Sequence, residues 1–410
     1  MKVLMLTPYV SLPTRPEFSR NMTGFGYMVY DIANSVGREA QVDLLASDSV
    51  GDAFVDNNVH FIRRKYRDIV LNIFHCVSPR ILISLLRKYK MNKGTALRVI
   101  YYWLISGYYS KIIRDGNYDI VHMHSCNFCN EIWMKVCKRY NKKFLITLHA
   151  LNSFSDTVKM EPAGKKYEQD FFRRVLAGNM PISVISSGMK RTIENIKEGQ
   201  ECNNIKVVCN AFKEATSDGG YLENNIRDKY KIPSEAFVIL YAGNISINKN
   251  QQQLVEAFEC LPEEIKVKTY VLFCGKDNTV NQSFSEFVKS NKNINHFKLC
   301  GQINREAMPA YFRAADGVVL LSLAEGFGLS LIEGMSFGKP ALSFTDIDAF
   351  ADVYSPRAMI GVESRDNERL AQGVVALIET DWDKDAIIEY SKRFNSKNMA
   401  SNYLAVYTEL

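Results

Sequence analysis

Short apolar runs, each closed by Gly, Asn, Ser or Pro and followed by a stretch of helical periodicity, recur along the whole chain. Met1–Val10, Gln41–Ala46, Val59–Arg64, Tyr118–Ser125, Lys143–His149, Ile182–Ser187 and Ile205–Asn210 read as strands of one sheet. Phe237–Gly243, Lys268–Gly275, His296–Gly301, Gly317–Leu323, Pro340–Phe344 and Met359–Val362 read as strands of a second. Nearly unbroken apolar runs suit strands covered on both faces, as in a parallel sheet. Regular alternation with helices implies right-handed crossovers. A chain of 410 residues exceeds one ordinary core, so two α/β domains are expected.

Two strand-to-helix turns are rich in glycine. In the first domain Thr23-Gly24-Phe25-Gly26 opens the helical pattern Tyr27–Val36, the phosphate-facing position of a doubly wound sheet. The full dinucleotide fingerprint GxGxxG is absent. In the second domain Gly317–Pro340 reads as strand, tight loop (Ala324–Leu329) and helix from about Ser330, stopped by Gly338-Lys339-Pro340. Gly326 and Gly328 remove side chains where a ligand could approach, and the free amides at the helix start suit phosphate. Glu325 and Glu333 bracket this loop, while Ser330-x-x-Glu333 also reads as a capping box in which Glu333 merely bonds back to the helix start.

Composition narrows the class. A hydrophobic content of 47% with 23% charge is that of a soluble globular protein. The net charge of +6 is uneven: residues 61–117 hold twelve Lys/Arg against two Asp, and the remainder is slightly acidic. Basicity confined to one segment argues against a nucleic-acid binder. The same segment carries apolar residues at helical spacing (Ile69, Ile73, Phe74, Val77) and the aromatic cluster Tyr101, Tyr102, Trp103, Tyr108, Tyr109. It fits an interfacial helix pair docking on anionic lipid, or an ordinary helical pair with a solvated basic face. Val99–Tyr109 is too short to span a bilayer, and Met1–Val10 reads as a strand and not a signal peptide. Nine cysteines fit free thiols, so a cytoplasmic location is expected, with peripheral contact at the inner membrane face through residues 61–117. His122, His124 and Cys126-x-x-Cys129 are not read as a zinc site, and Asp346-Ile347-Asp348 is read as turn chemistry and not a metal ligand set.

The block EGFGLSLIE, followed by GMSFGKPAL, resembles the signature of the retaining glycosyltransferases of family 4. The resemblance implies the GT-B fold, two Rossmann-like domains facing across a cleft: residues 1–212, completed by 393–410, on the acceptor side, and 213–392 on the donor side. By that resemblance Glu325 contacts the donor sugar, Glu333 the ribose, and the amides of Gly326, Phe327, Gly328 and Leu329 the diphosphate. Gly243–Asn250 resembles the family's Gly-Arg-x4-Lys element; Lys249 matches, and Asn244 stands where the family has arginine. Gly24 and Gly26 are expected to face the diphosphate, and His149, at a strand end, to position the donor or shuttle a proton. Asn210-Ala211-Phe212-Lys213 keeps only the Asn of the family's Asn-Gly-aliphatic-Asp. The implied activity is sugar transfer from a nucleotide diphosphate sugar to a saccharide or lipid-linked saccharide in surface polysaccharide synthesis, with no metal or other cofactor. A catalytically silent binding module, or a sugar phosphorylase or sugar-phosphate synthase, are the alternatives.

Overall fold

A computed structural model describes the chain except residues 13, 16–22, 49–50, 63, 156–159, 179, 200 and 213–225. The connection expected over 213–225, and Pro13 and Pro16 after the first strand, lie outside the described residues. The chain divides into two compact units, Met1–Asn210 with Ser396–Leu410, and Ala211–Asn395.

Unit 1 is built on an eight-stranded sheet: β1 (Lys2–Thr7), β2 (Gln41–Ala46), β3 (Phe54–Asp56), β4 (Val59–Phe61), β5 (Ile120–His124), β6 (Lys143–Leu148), β7 (Ile182–Val184) and β8 (Ile205–Val207). Their order is β3-β4-β2-β1-β5-β6-β7-β8. All pair in parallel except β3 with β4, a hairpin that the sequence reading missed, turned at Asn57 with φ 51°. Every residue of β5 is buried, which is why it reads as a continuous apolar run despite two histidines. β7 is shorter than Ile182–Ser187 because the Ser186 side chain leaves the ladder to cap the next helix, accepting from the Met189 amide at 3.3 Å.

Between β4 and β5 lie α2 (Tyr66–Leu71), a short turn (Ile73–His75), α3 (Pro79–Lys88) and α4 (Lys93–Asp115), following α1 (Gly24–Val36). The aromatic cluster of this segment is core and not an interfacial belt. Tyr102, Tyr108 and Tyr109 are buried, and Tyr109 meets Ser47 Oγ at 2.6 Å and Trp133 edge-on. The Trp103 indole donates to the Val77 carbonyl at 2.9 Å. α4 packs so closely on the preceding segment that a Cβ on Gly107 would lie 2.0 Å from the Asn72 oxygen. No helix among the described residues is long and apolar enough to cross a membrane. The C-terminal helix Ser396–Glu409 belongs to unit 1, where Tyr407 Oη meets His122 Nδ1 at 2.7 Å.

Unit 2 carries β9 (Phe237–Ala242), β10 (Thr269–Cys274), β11 (Phe297–Gly301), β12 (Gly317–Leu320), β13 (Ala341–Phe344) and β14 (Met359–Val362), all parallel. The order β11-β10-β9-β12-β13-β14 places the first strand of the unit beside the fourth. In a doubly wound sheet that reversal opens a crevice at the carboxyl ends of the two strands.

Candidate active site

Two loops meet at this crevice. The loop after β9 is Gly243–Asn250, and the loop after β12 is Leu321–Gly328, leading into the helix Leu329–Ser336. Polar side chains stitch them together where the β-ladder stops. Asn248 accepts from the Ala324 amide at 3.1 Å and donates to its carbonyl at 3.0 Å. Its own carbonyl accepts from the Leu323 amide at 2.7 Å. Tyr241 Oη accepts from the Leu321 amide at 2.8 Å and donates to the Lys249 carbonyl. β12 ends at Leu320 and not at Leu323 because these groups, belonging to β9 and the loop that follows it, take over the amides of Leu321, Leu323 and Ala324.

The clamp holds Lys249 against Glu325. The ammonium pairs with Oε2, to which Ser322 Oγ also donates at 3.1 Å, and the Gly328 amide donates to Oε1 at 3.2 Å. Only 14% of the Glu325 side chain is exposed. Burial pushes its carboxyl up, but the Lys249 charge and the three hydrogen bonds outweigh it and hold the pKa below the ordinary carboxylate range. The crevice thus contains a fixed ion pair next to a helix start. Gly328, at φ 81°, is the N-cap, and the following amides of Leu329 and Ser330 have no intrahelical carbonyl to meet.

Ser330 therefore lies inside the helix, and Glu333 makes no capping box with it. Phe327 is buried against Phe394, so its backbone is what it can offer a ligand. Gly326 and Leu329 are half-buried in the same turn. Asn244, in the arginine's place, turns its Oδ1 to the Lys276 amide at 3.2 Å. Arg365 was not singled out by sequence. It grips Asp346 with two bonds of 2.7 Å, donates to the Ser322 carbonyl at 2.9 Å and lies over the Phe344 ring. Its sequence neighbourhood holds no signal of that role, because all its partners lie on other loops and strands.

Unit 1 brings its own predicted residues together at the carboxyl edge of its sheet. Thr23 caps α1 through the Gly26 amide. A Cβ on Gly26 would strike Ser11 Oγ at 2.2 Å, so that glycine is demanded by packing; one on Gly24 would meet open space. Phe25 sits edge-on to His149, and His149 Nε2 lies 3.2 Å from His124 Nδ1. His124 Nε2 is buried without a partner. A buried bare lone pair costs less than a buried unbonded N–H, which places the His124 proton on Nδ1 as donor. His149 Nε2 is then the acceptor, and the His149 proton sits on Nδ1, where it is free to donate to a ligand. Burial lowers the His149 pKa to about 4, so the ring is neutral at pH 7, a state suited to hydrogen bonding more than to carrying a proton. His122, to which zinc was not assigned, bonds instead to Tyr407 and to Thr147 Oγ1 at 2.6 Å.

Residues 223–394 match the family model of group 1 glycosyl transferases. The chain is 24% identical over 243 residues to the putative glycosyltransferase EpsD of Bacillus subtilis (strain 168), covering 57% of this chain and 60% of that protein. It is 24% identical over 311 residues to GDP-mannose:cellobiosyl-diphosphopolyprenol alpha-mannosyltransferase of Xanthomonas oryzae pv. oryzae (strain PXO99A), covering 70% of this chain and 73% of that one. A solved glycosyltransferase from Rickettsia africae ESF-5 superposes with TM-score 0.70 at 18% identity, covering 100% of this chain and 98% of that chain. The fold is the GT-B fold, and the family match with these names supports a transferase.

Proposed function

We propose that the chain is a retaining glycosyltransferase that moves a sugar from a nucleotide diphosphate sugar to a saccharide or lipid-linked saccharide acceptor in surface polysaccharide assembly. The observation that carries this reading is the Lys249–Glu325 pair fixed at the switch point of unit 2, beside the opening of the helix Leu329–Ser336. The difficult step in such a transfer is loss of the diphosphate, which gathers negative charge as the sugar becomes cationic. A preformed ammonium and helix-start amides stabilise that charge without reorganising. Glu325 is held ionised, and it orients the hexose while stabilising its developing positive charge. Glu333, one helical turn further, is assigned to the ribose, and His149, through Nδ1, to donor positioning. Gly24, with open space above it, admits a phosphate. The diphosphopolyprenol in the name of the Xanthomonas relative favours a lipid-linked acceptor. In this division of labour Lys249 and the amides supply the positive potential, so a chelator is expected to leave turnover unchanged.

Asn244 in place of an arginine is the observation that favours a silent binding module, since a permanently charged fork is lost. Donor hydrolysis without acceptor separates the two. The transferase slowly releases free sugar from one nucleotide sugar, and Glu325→Gln and Lys249→Ala each lower that rate by roughly 10²–10³-fold, the usual cost of one electrostatic stabiliser. No release from any nucleotide sugar supports the silent module, and formation of a sugar 1-phosphate only when inorganic phosphate is present supports a phosphorylase.

A further inference from the structure

Unit 1 contains a groove of about 570 Å³, lined by none of the residues assigned above, between α3 and the outer faces of α5 (Phe128–Arg139) and α6 (Pro162–Ala177). Its apolar wall is made by Ile81 and Leu85 of α3. Five cations line it, Arg80, Lys88, Lys135, Arg139 and Arg174, against a single carboxylate, Glu131. Three of the five are committed. Lys88 pairs with Asp170 at 2.9 Å, Arg174 pairs with Glu131, and Arg139 donates to the carbonyls of His75 and Cys76 at 2.7 and 3.0 Å. Arg80 and Lys135 have no acceptor for their side-chain charge among the described residues, so the groove holds two uncompensated cations beside an apolar wall.

The surface next to it is unusual. Tyr66, Val70, Leu71 and Phe74 are 64, 68, 73 and 96% exposed, four large apolar side chains within nine residues. Arg139 ties this strip to the groove, because the two carbonyls it grips directly follow Phe74 in the chain. A water-facing strip of this kind next to unpaired cations has the complement of a membrane surface, where anionic phosphates lie just above hydrocarbon. The residues 61–117 that carry it hold a charge of +10.

We infer that the groove is a headgroup site for an anionic phospholipid of a bilayer. Arg80 and Lys135 bind the phosphate, Ile81 and Leu85 meet the start of the acyl region, and Val70, Leu71 and Phe74 enter the interface. The site stands on these residues and does not depend on the transferase reading. The test is flotation of the full chain with phosphatidylcholine vesicles, with and without phosphatidylglycerol, at low salt. Wild type is expected to float only with the anionic vesicles. Arg80→Gln with Lys135→Gln is expected to weaken binding roughly thirtyfold, at about a fivefold loss per surface cation. Phe74→Ser is expected to abolish protection from an aqueous quencher by the bilayer of a dye placed at position 71. All three side chains are exposed, and an unchanged melting curve confirms the fold of each variant. Equal flotation with both vesicle types, equal binding by the double variant, or no flotation on the anionic vesicles would each overturn the assignment.

Discussion

Glu325 and Lys249 were both legible in the sequence as candidates, but not as a pair, because 76 residues separate them and only the adjacency of β9 and β12 closes the gap. The same holds for the histidines: that His122 and His124 share a face follows from strand alternation, whereas the proton order from His124 to His149 depends on a neighbouring strand end. These buried rings set the pH behaviour. His122 and His149 have folded pKa values of about 3 and about 4, below the value of about 6.5 for an unfolded histidine, because burial disfavours the charged ring. Between those values the unfolded chain binds more protons, so stability is full above about pH 6.5 and falls as pH drops toward 4. The depressed Glu325 carboxyl acts lower: its contribution is complete above an unfolded pKa of about 4.3 and is lost only below it. A Trp382→Phe variant leaves Trp103 and Trp133 as reporters of unit 1, and its urea midpoint is expected to fall steadily from pH 6.5 to 4.5. A flat midpoint over that range would contradict neutral buried histidines.

At the scale of elements, strands buried on both faces were read correctly in position because nothing but an apolar run suits them, and Met359–Val362 was read to the residue. Gln41–Ala46 was too, but the ends of β12 and β7 were not, since Tyr241 and Asn248 end the first from other parts of the chain and Ser186 ends the second by leaving the ladder. The basic segment was read as helical, but its buried aromatic residues, Tyr102, Tyr108 and Tyr109, face inward, and the exposed apolar strip lies earlier, at α2 and the turn after it, where the sequence pattern alone does not say which face the core takes. The clamp between the two loops of unit 2 is the element on which the site depends. Asn248→Ala leaves the Ala324 amide and carbonyl unbonded and is expected to cost about 1–3 kcal/mol in urea unfolding. It should also lower turnover, because Glu325 follows Ala324 directly. Gly328→Ala forces an alanine to φ 81°, 3.1 Å from a Leu320 methyl, at a cost of about 1–2 kcal/mol. Nucleotide affinity is expected to fall with it, and unchanged affinity measured by calorimetry would separate the helix start from the diphosphate.

At the scale of the whole molecule, the chain leaves unit 1 at Asn210 and returns to it at Ser396. Deleting Ser396–Leu410 removes the Tyr407 partner of His122 and the Tyr403 hydroxyl 3.5 Å from Thr147. Unit 1 is expected to melt several degrees lower, as reported by Trp103 and Trp133, while Trp382 in unit 2 reports an unchanged transition. Equal destabilisation of both would contradict the division into units. In the proposed function Lys249 and the helix opening at Leu329 hold the diphosphate of a nucleotide sugar while Glu325 faces the sugar. Thermal-shift titration of a panel of uridine and guanosine diphosphate sugars against wild type and Lys249→Ala tests it most directly, since a ligand that binds only the folded state adds about 2.7 kcal/mol at a hundredfold excess over its Kd. One nucleotide sugar is expected to raise the melting temperature of wild type, and Lys249→Ala to lose most of that rise; no shift with any donor, or a shift that Lys249→Ala leaves intact, would overturn this assignment.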